Sequence, residues 1–113
     1  MFRTDIEKLR RLGLTEISSQ GEQAIRLTAQ CRVPMFERDR QERRVLLEEW
    51  KSGLEKKLHS FRSDVVPNSL SLTAQTVELV VPINEVQAVD SALSADNVRV
   101  DVLIPTQVVQ SAS

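Results

Sequence analysis

Few residues in this 113-residue chain could carry out acid–base or nucleophilic chemistry. His59 is the single histidine, and a histidine that acts as a base needs an orienting partner and a substrate pocket. The sequence indicates neither, because His59 falls on the polar flank of a predicted helix. Cys31 is the single cysteine and falls on the same alternating, inward-facing positions as Ile25, Leu27 and Val33. We therefore expect it to be a small core residue rather than a nucleophile.

Metal, phosphate and paired-carboxylate chemistry are not indicated either. One His and one Cys cannot form a structural zinc site. The three glycines (13, 21 and 53) are dispersed and form no phosphate-binding loop. Glu48 and Glu49 are adjacent, so on a helix they point in different directions and are not an acid–base pair. We therefore predict a protein that is not an enzyme and that uses no cofactor and no metal.

The strongest functional signal is residues 34–44, PMFERDRQERR, whose last eight positions carry four positive and three negative charges. Every acidic residue has a basic residue three or four positions away, at helical spacing. The predicted pairs are Asp39–Arg43, Arg38–Glu42 and Glu37–Arg40. Affinity for a polyanion scales with uncompensated positive charge, which these pairs reduce. The pattern favours a solvated or subunit-bridging helix over a nucleic-acid surface.

Charge is distributed unevenly along the chain. Residues 1–62 hold fourteen of the fifteen Lys and Arg but ten of the sixteen Asp and Glu, so this part is basic and the rest is acidic. Such a chain could attract an anionic partner to its first half or associate with itself. The alternative interpretation is that one long charged helix accounts for the difference.

Length and composition predict one small domain. With 41% hydrophobic and 27% charged residues the composition is globular, and we place the domain at 1–105, followed by a frayed tail at 106–113. The N-terminus has no apolar stretch typical of a signal peptide, and no run approaches the ~20 apolar residues of a membrane span. One cysteine excludes an internal disulfide, so we expect a cytoplasmic protein without a membrane partner.

The first half predicts two helices around a strand. Thr4 and Glu7 form a potential capping box for a helix at 4–12, which Gly13 ends. Alternating apolar residues predict a strand at 25–33 with one buried face, which includes Val33, and a short strand around Leu14 and Ile17 before it. A long helix follows at 36–62. Its apolar stripe comprises Leu46, Leu47, Trp50, Leu54, Leu58 and Phe61.

Gly53 interrupts this helix on the same stripe. A glycine costs a helix about 0.8–1.0 kcal/mol relative to alanine, so we expect it to allow close approach of another element; the alternative is a tolerated defect.

The second half is punctuated by proline. All four prolines follow a β-branched residue; those at 34, 82 and 105 are predicted to close strands, and Pro67 to lie in a connection. Residues 69–82 change the phase of their alternation, so they form either a hairpin around TAQT, which we favour, or one bulged strand. A short helix capped by Asn84 buries Val86, Val89 and Leu93. A last strand follows at 98–104, with Val98, Val100, Val102 and Ile104 facing inward.

The element order from residue 23 is strand, helix, strand, strand, helix, strand, which is the ferredoxin-like βαββαβ order with an extra N-terminal helix. A three-stranded βαβαβ arrangement is the alternative if 69–82 is one strand.

For function we predict a protein-protein interaction or assembly module that self-associates, forming a homo-oligomer, or docks on a larger complex. The predicted contact residues are Arg38, Arg40, Arg43 and Arg44 on one partner and Asp90, Asp96 and Asp101 on the other. An accessory nucleic-acid-binding protein that uses Arg40, Arg43, Arg44 and Lys51 is the second hypothesis, and a ligand-sensing regulatory domain has no residue signature.

Overall fold

The computed structural model describes residues 2–35 and 39–103, and the side chains from residue 6 onward within those ranges. The described residues form three α-helices, a short 3-10 helix and one five-stranded sheet. In chain order these elements are α1 (Phe2–Arg11), β1 (Glu16–Ile17), β2 (Gln23–Cys31), α2 (Arg40–His59), β3 (Asp64–Val65), β4 (Thr76–Pro82), the 3-10 helix (Ile83–Glu85), α3 (Val86–Ser94) and β5 (Val98–Val102). The predicted α+β class is confirmed.

Strand β2 is the centre of the sheet. It pairs with β4 along one edge, while β5 and β1 share its other edge. β3 pairs with the far edge of β4, and all four pairings are antiparallel. The apolar β2 residues Ile25, Leu27 and Ala29 are completely buried, because their side chains point to the face that the helices cover.

One face of the sheet, here called the inner face, carries the hydrophobic core. Its strand residues alternate, as the period of two requires, and helices α1, α2 and α3 cover them. Each fully buried Leu, Ile or Val stabilises the fold by roughly 1.5–3 kcal/mol. The strand contribution consists of Ile25, Leu27, Ala29, Val65, Val77, Leu79, Val81, Val98 and Val100, and the helical one of Leu9, Leu54, Leu58, Val86, Val89 and Leu93.

Helix α1 ends in a Schellman motif. Gly13 adopts a positive φ of 69°, which glycine tolerates without steric cost. The N–H of Leu14 donates to the carbonyl of Leu9 at 2.9 Å, and the N–H of Gly13 donates to that of Arg10 at 3.1 Å. The predicted stop at Gly13 is confirmed. The predicted start is wrong, because the helix begins at Phe2 and Thr4 lies inside it rather than at its N-cap.

Helix α2 is present but shorter than the predicted 36–62. It runs from Arg40 to His59, and residues 36–38 lie outside the described part of the chain. Leu47, Leu54 and Leu58 are buried, as the stripe predicts. Gly53 does not belong to this face: it is exposed, and within the described part of the chain a methyl group in its place would meet no atom of another element within 4 Å. The prediction of close packing at this glycine is therefore wrong.

Strand β2 ends earlier than predicted. It stops at Cys31, and the Val33 side chain, expected inward, is 47% exposed. Its partner β1 confirms the short strand expected around Ile17.

The region between α2 and β4 also differs from the prediction. The strand that pairs with β4 is β3 at 64–65, before Pro67, and not a strand within 69–73. Residues 72–75 turn, with Gln75 at a positive φ of 58°, and Ser71 makes an isolated bridge to Thr76. A single strand over 69–82, on which the three-stranded alternative depends, is therefore absent.

The last helix and strand lie where the sequence predicts them. Val86, Val89 and Leu93 are buried in α3, and Val98 and Val100 in β5. Asn84 does not cap α3, because it lies inside the 3-10 helix and the helix that follows has no side-chain cap. Ile104, Pro105 and the predicted frayed tail at 106–113 lie outside the described residues.

Candidate functional site

The start of α2 is stabilised by a helix cap rather than by the predicted Asp39–Arg43 ion pair. Asp39 is the N-cap: its carboxylate accepts the N–H of Glu42 at 2.8 Å instead of pairing with Arg43. This bond satisfies a backbone donor that the first helical turn leaves free. The other predicted pairs involve residues 37 and 38, which lie outside the described residues.

The predicted basic contact residues lie on the first turns of α2. Arg40 and Arg44 are exposed, while Arg43 is half-buried. The Arg43 Nε is shielded from solvent and has no hydrogen-bond partner among the described residues. Arg38 lies outside the described residues. The first turns of α2 therefore present two exposed guanidinium groups, those of Arg40 and Arg44, and a third, that of Arg43, that is partly shielded from solvent.

The predicted acidic contact residues lie on α3, on β5 and in the turn between them. Asp90 and Asp101 line one groove of about 300 Å³ between these elements. Asp101 forms an ion pair with Arg99 at 3.0 Å, and Asp96 forms one with Lys57. Two of the three carboxylates thus share a groove, and two of the three already have a basic partner within the chain.

A second groove lies between α2 and the segment after β3. It has a volume of about 560 Å³, and its polar wall alternates in charge along the helix. Arg44 and Lys51, two of the residues of the nucleic-acid hypothesis, both line it, and Glu48 lies between them. The acidic residue lowers the local positive potential, which weakens the case for phosphate binding at this groove.

The face of the sheet opposite the core is open. Both hydrophobic clusters of the described residues involve the inner face, while this open face carries half-exposed and exposed side chains except at one end, where Ala24 and Pro82 are buried. We define the open face by its strand residues: Arg26, Thr28 and Gln30 of β2, Thr76, Glu78 and Val80 of β4, and Arg99 and Asp101 of β5.

Arg26 organises the centre of the open face. Its Nε and Nη2 each donate to the Glu16 carboxylate at 2.8 Å, and its Nη1 donates to Glu78 at 3.2 Å. Hydrogen bonding to Glu16, and then to Glu78, raises the pKa of Arg26 despite partial desolvation. This three-residue cluster was not predicted, because β-strand alternation assigns Arg26 to a face but not to its cross-strand neighbours.

The candidate catalytic residues are far from a catalytic arrangement. His59 is exposed at the end of α2. Cys31 is buried against Met35 and Leu47 in a second, smaller hydrophobic cluster.

No group of three or more His, Cys, Asp or Glu side chains that could hold a metal ion occurs within 2–35 and 39–103. Within the same ranges, no helix has the length and apolar character needed to cross a membrane.

Comparisons with known proteins add no relative. No family model, curated protein or solved structure matches the chain significantly.

Proposed function

We propose that this chain is a non-enzymatic protein-protein interaction module that self-associates or docks on a larger assembly. The observation that carries the proposal is the one-sided architecture: helices cover the inner face of the sheet, and the described residues leave the other face and the β5 edge uncovered. A strand edge with unpaired backbone groups is a ready template for pairing with another chain.

The charges of the described residues support the same proposal. Arg40 and Arg44 project from α2, whereas Asp90 and Asp101 lie in the groove between α3 and β5, which Arg32 and Arg99 also line. Two copies, or one copy and a bipolar partner, could therefore meet with opposite charges facing each other. Complementary charge increases the rate of encounter and fixes orientation more than it adds affinity.

The placement of His59 and Cys31 supports a non-enzymatic role. An exposed histidine without a fixed partner is poorly oriented as a base, and a buried thiol is poorly accessible as a nucleophile. A buried single cysteine also suits a reducing compartment, so we propose a cytoplasmic location.

We further propose that the chain has the ferredoxin-like βαββαβ arrangement. The strand order β3–β4–β2–β5, with antiparallel neighbours throughout, supports this assignment. β1 and α1 are then additions to the N-terminus of that unit. The assignment concerns the fold alone, because such folds host many unrelated functions.

The nucleic-acid hypothesis is the second candidate, supported by the shared groove of Arg44 and Lys51. It predicts binding whose logarithm falls linearly with the logarithm of the salt concentration. Fluorescence anisotropy titrations with a labelled single-stranded oligonucleotide, at a series of salt concentrations that begins at low salt, measure this dependence.

Sedimentation velocity over a range of protein concentrations, at low and high salt, tests the interaction proposal. We expect a concentration-dependent oligomer that weakens as salt rises. The R40Q/R44Q double variant should weaken it as well, whereas R10Q, which alters an exposed arginine on α1, should not. A monomer at every concentration, together with oligonucleotide binding at low salt, would favour the second candidate instead.

A further inference from the structure

Strand β5 has a free edge. β5 pairs with β2 through residues 98–102, and β1 pairs with the same edge of β2 at Gln23 and Ala24. On its other side β5 has no strand partner among the described residues. The groove of about 300 Å³ that contains Asp90 and Asp101 runs beside four residues of this strand (98–101), so the edge is accessible to solvent.

The register of the β2–β5 pair determines which backbone groups point outward. Leu103 N–H donates to Arg26 C=O at 3.0 Å, and Arg32 N–H donates to Asn97 C=O at 3.2 Å. Hydrogen-bonded pairs alternate along an antiparallel ladder, so the backbone groups of Arg99 and Asp101 point toward β2. The N–H and C=O groups of the intervening valines, Val98, Val100 and Val102, therefore point to the free edge.

The sequence of β5 is complementary to itself in one antiparallel register. If Val100 faces Val100 of a second copy, Val98 faces Val102 of that copy. The outward N–H and C=O groups, which belong to these valines, then lie opposite each other and can form hydrogen bonds. In this register Arg99 lies directly opposite Asp101 of the second copy, and Asp101 lies opposite its Arg99. These are non-hydrogen-bonded positions, where facing side chains come closest.

The neighbouring registers place like charges together. A two-fold axis at residue 99 sets arginine against arginine, and an axis at residue 101 sets aspartate against aspartate. Like charges directly opposite each other destabilise a strand pair. The charge pattern thus selects the register centred on Val100, and the same register continues the buried valine row of the inner face from one copy to the other.

We propose that two copies of this chain pair through β5, antiparallel and centred on Val100, to form a two-fold symmetric dimer with one continuous sheet. The inference rests on the proposed interaction function and deepens it by naming the partner, the strand and the register. Symmetric pairing uses the β5 edge of both copies, so neither copy has a free β5 edge left. The outermost strand at each end of the combined sheet is then the two-residue strand β3, and the assembly closes at two chains.

A charge-reversal cycle at β5 tests the register. R99D and D101R each create two like-charge pairs across the dimer axis, so each should raise the dimer Kd by about tenfold in sedimentation velocity. The double variant R99D/D101R restores opposite charges in both pairs and should return the Kd to within about threefold of the unmodified chain. The matched control is E7R/R10E, which exchanges the exposed Glu7–Arg10 pair of α1 and should leave the Kd unchanged.

Disulfide trapping gives a second measurement. In a C31A background, R99C/D101C places two cysteines at positions that face each other across the axis, at a Cα separation of about 4.5 Å that a disulfide can span. We expect a covalent dimer on a non-reducing gel after mild oxidation. C31A/R10C/R62C, with cysteines at two exposed positions outside β5, should remain largely monomeric.

The possible outcomes bear differently on β5 pairing and on the proposed interaction function. Loss of the dimer in the single reversals with rescue in the double reversal, or efficient trapping, supports pairing through β5. A dimer that none of the β5 variants alters, but that R40Q/R44Q weakens, overturns the β5 inference and leaves the interaction function standing. A monomer in the unmodified chain at every concentration overturns β5 pairing together with self-association. Urea unfolding of each variant distinguishes a lost interface from a lost fold.

Discussion

Replacing Gly53 by alanine should stabilise the protein. Gly53 lies inside α2 and is exposed, and beyond its own helical turn none of the described residues has an atom within 4 Å of the position a Cβ would take. The substitution therefore introduces no clash and removes the conformational cost of a mid-helix glycine. We expect the free energy of unfolding to rise by about 0.8–1.0 kcal/mol, equivalent to roughly 4–6 °C in Tm for a domain of this size.

Urea unfolding followed by circular dichroism and by Trp50 fluorescence measures this change. With an m-value of about 1–3 kcal/mol/M, the midpoint should rise by roughly 0.5 M while m stays constant. Gly13 provides a matched control, because a Cβ there also has free space but the backbone φ is 69°. G13A should lower stability by about 1 kcal/mol, since alanine disfavours the left-handed region.

The pair of variants isolates backbone conformation from steric contact. A G53A midpoint that is unchanged or lower, while G13A behaves as expected, would contradict an open environment around residue 53. Sedimentation velocity on G53A would then test whether a second copy of the chain contacts this position.

Three further predictions follow from single contacts. D39A should lower the free energy of unfolding in urea by about 1 kcal/mol, because it removes the acceptor for the Glu42 N–H. D39N should cost much less, because asparagine also caps well. Equal losses in the two variants would contradict the capping role. Cys31 should react with Ellman's reagent only when urea unfolds the chain, because its side chain is 5% exposed; rapid reaction of the native protein would disprove this burial. R26Q should cost at most about 1 kcal/mol, and less at 1 M salt, since the arginine and its two carboxylates are about one-third exposed. The folded-state pKa of Arg26 is raised, so the contribution of Arg26 to the free energy of unfolding is lost only as pH rises through that high value. The cost of R26Q should therefore be constant from about pH 6 to pH 9. A strong pH dependence of that cost in this range would implicate another titratable group.

The sequence predicts the main elements wherever an apolar period is long. The alternation through Ile25, Leu27 and Ala29 and the stripe through Leu54 and Leu58 each specify one buried face, and the structure buries these residues. The α+β class follows from these patterns.

The errors arise where short-range signals compete with tertiary contacts. β3 has only two residues, too few to show an alternation, and its pairing with β4 depends on residues distant in sequence. Gly53 falls on the extrapolated stripe because helical spacing alone does not define how wide the buried face is. Asn84 has a good capping side chain, but the chain enters α3 through a 3-10 helix after Pro82 and leaves that side chain without a capping role.

The candidate contact residues were predictable as charges but not as a surface. Sequence composition identifies Asp90, Asp96 and Asp101 as acidic groups in the second half, yet it cannot show that Lys57 already neutralises Asp96. It also cannot identify β5 as an edge strand, because edge position depends on the order in which strands assemble. Self-complementarity of Arg99 and Asp101 becomes apparent only once that edge is known.

Helix α2 contributes to two hydrophobic clusters, with Trp50 packed against both, and this has consequences for local unfolding. Its second half is held by the main core through Leu54 and Leu58, whereas Leu47 belongs to the smaller cluster with Cys31 and Met35. Fewer apolar contacts mean a lower free energy of local opening, so amide hydrogens of residues 44–50 should exchange with solvent sooner than those of 54–59. A ligand that docks against the first turns of α2 would therefore slow exchange there selectively, and the main core would be left as it is.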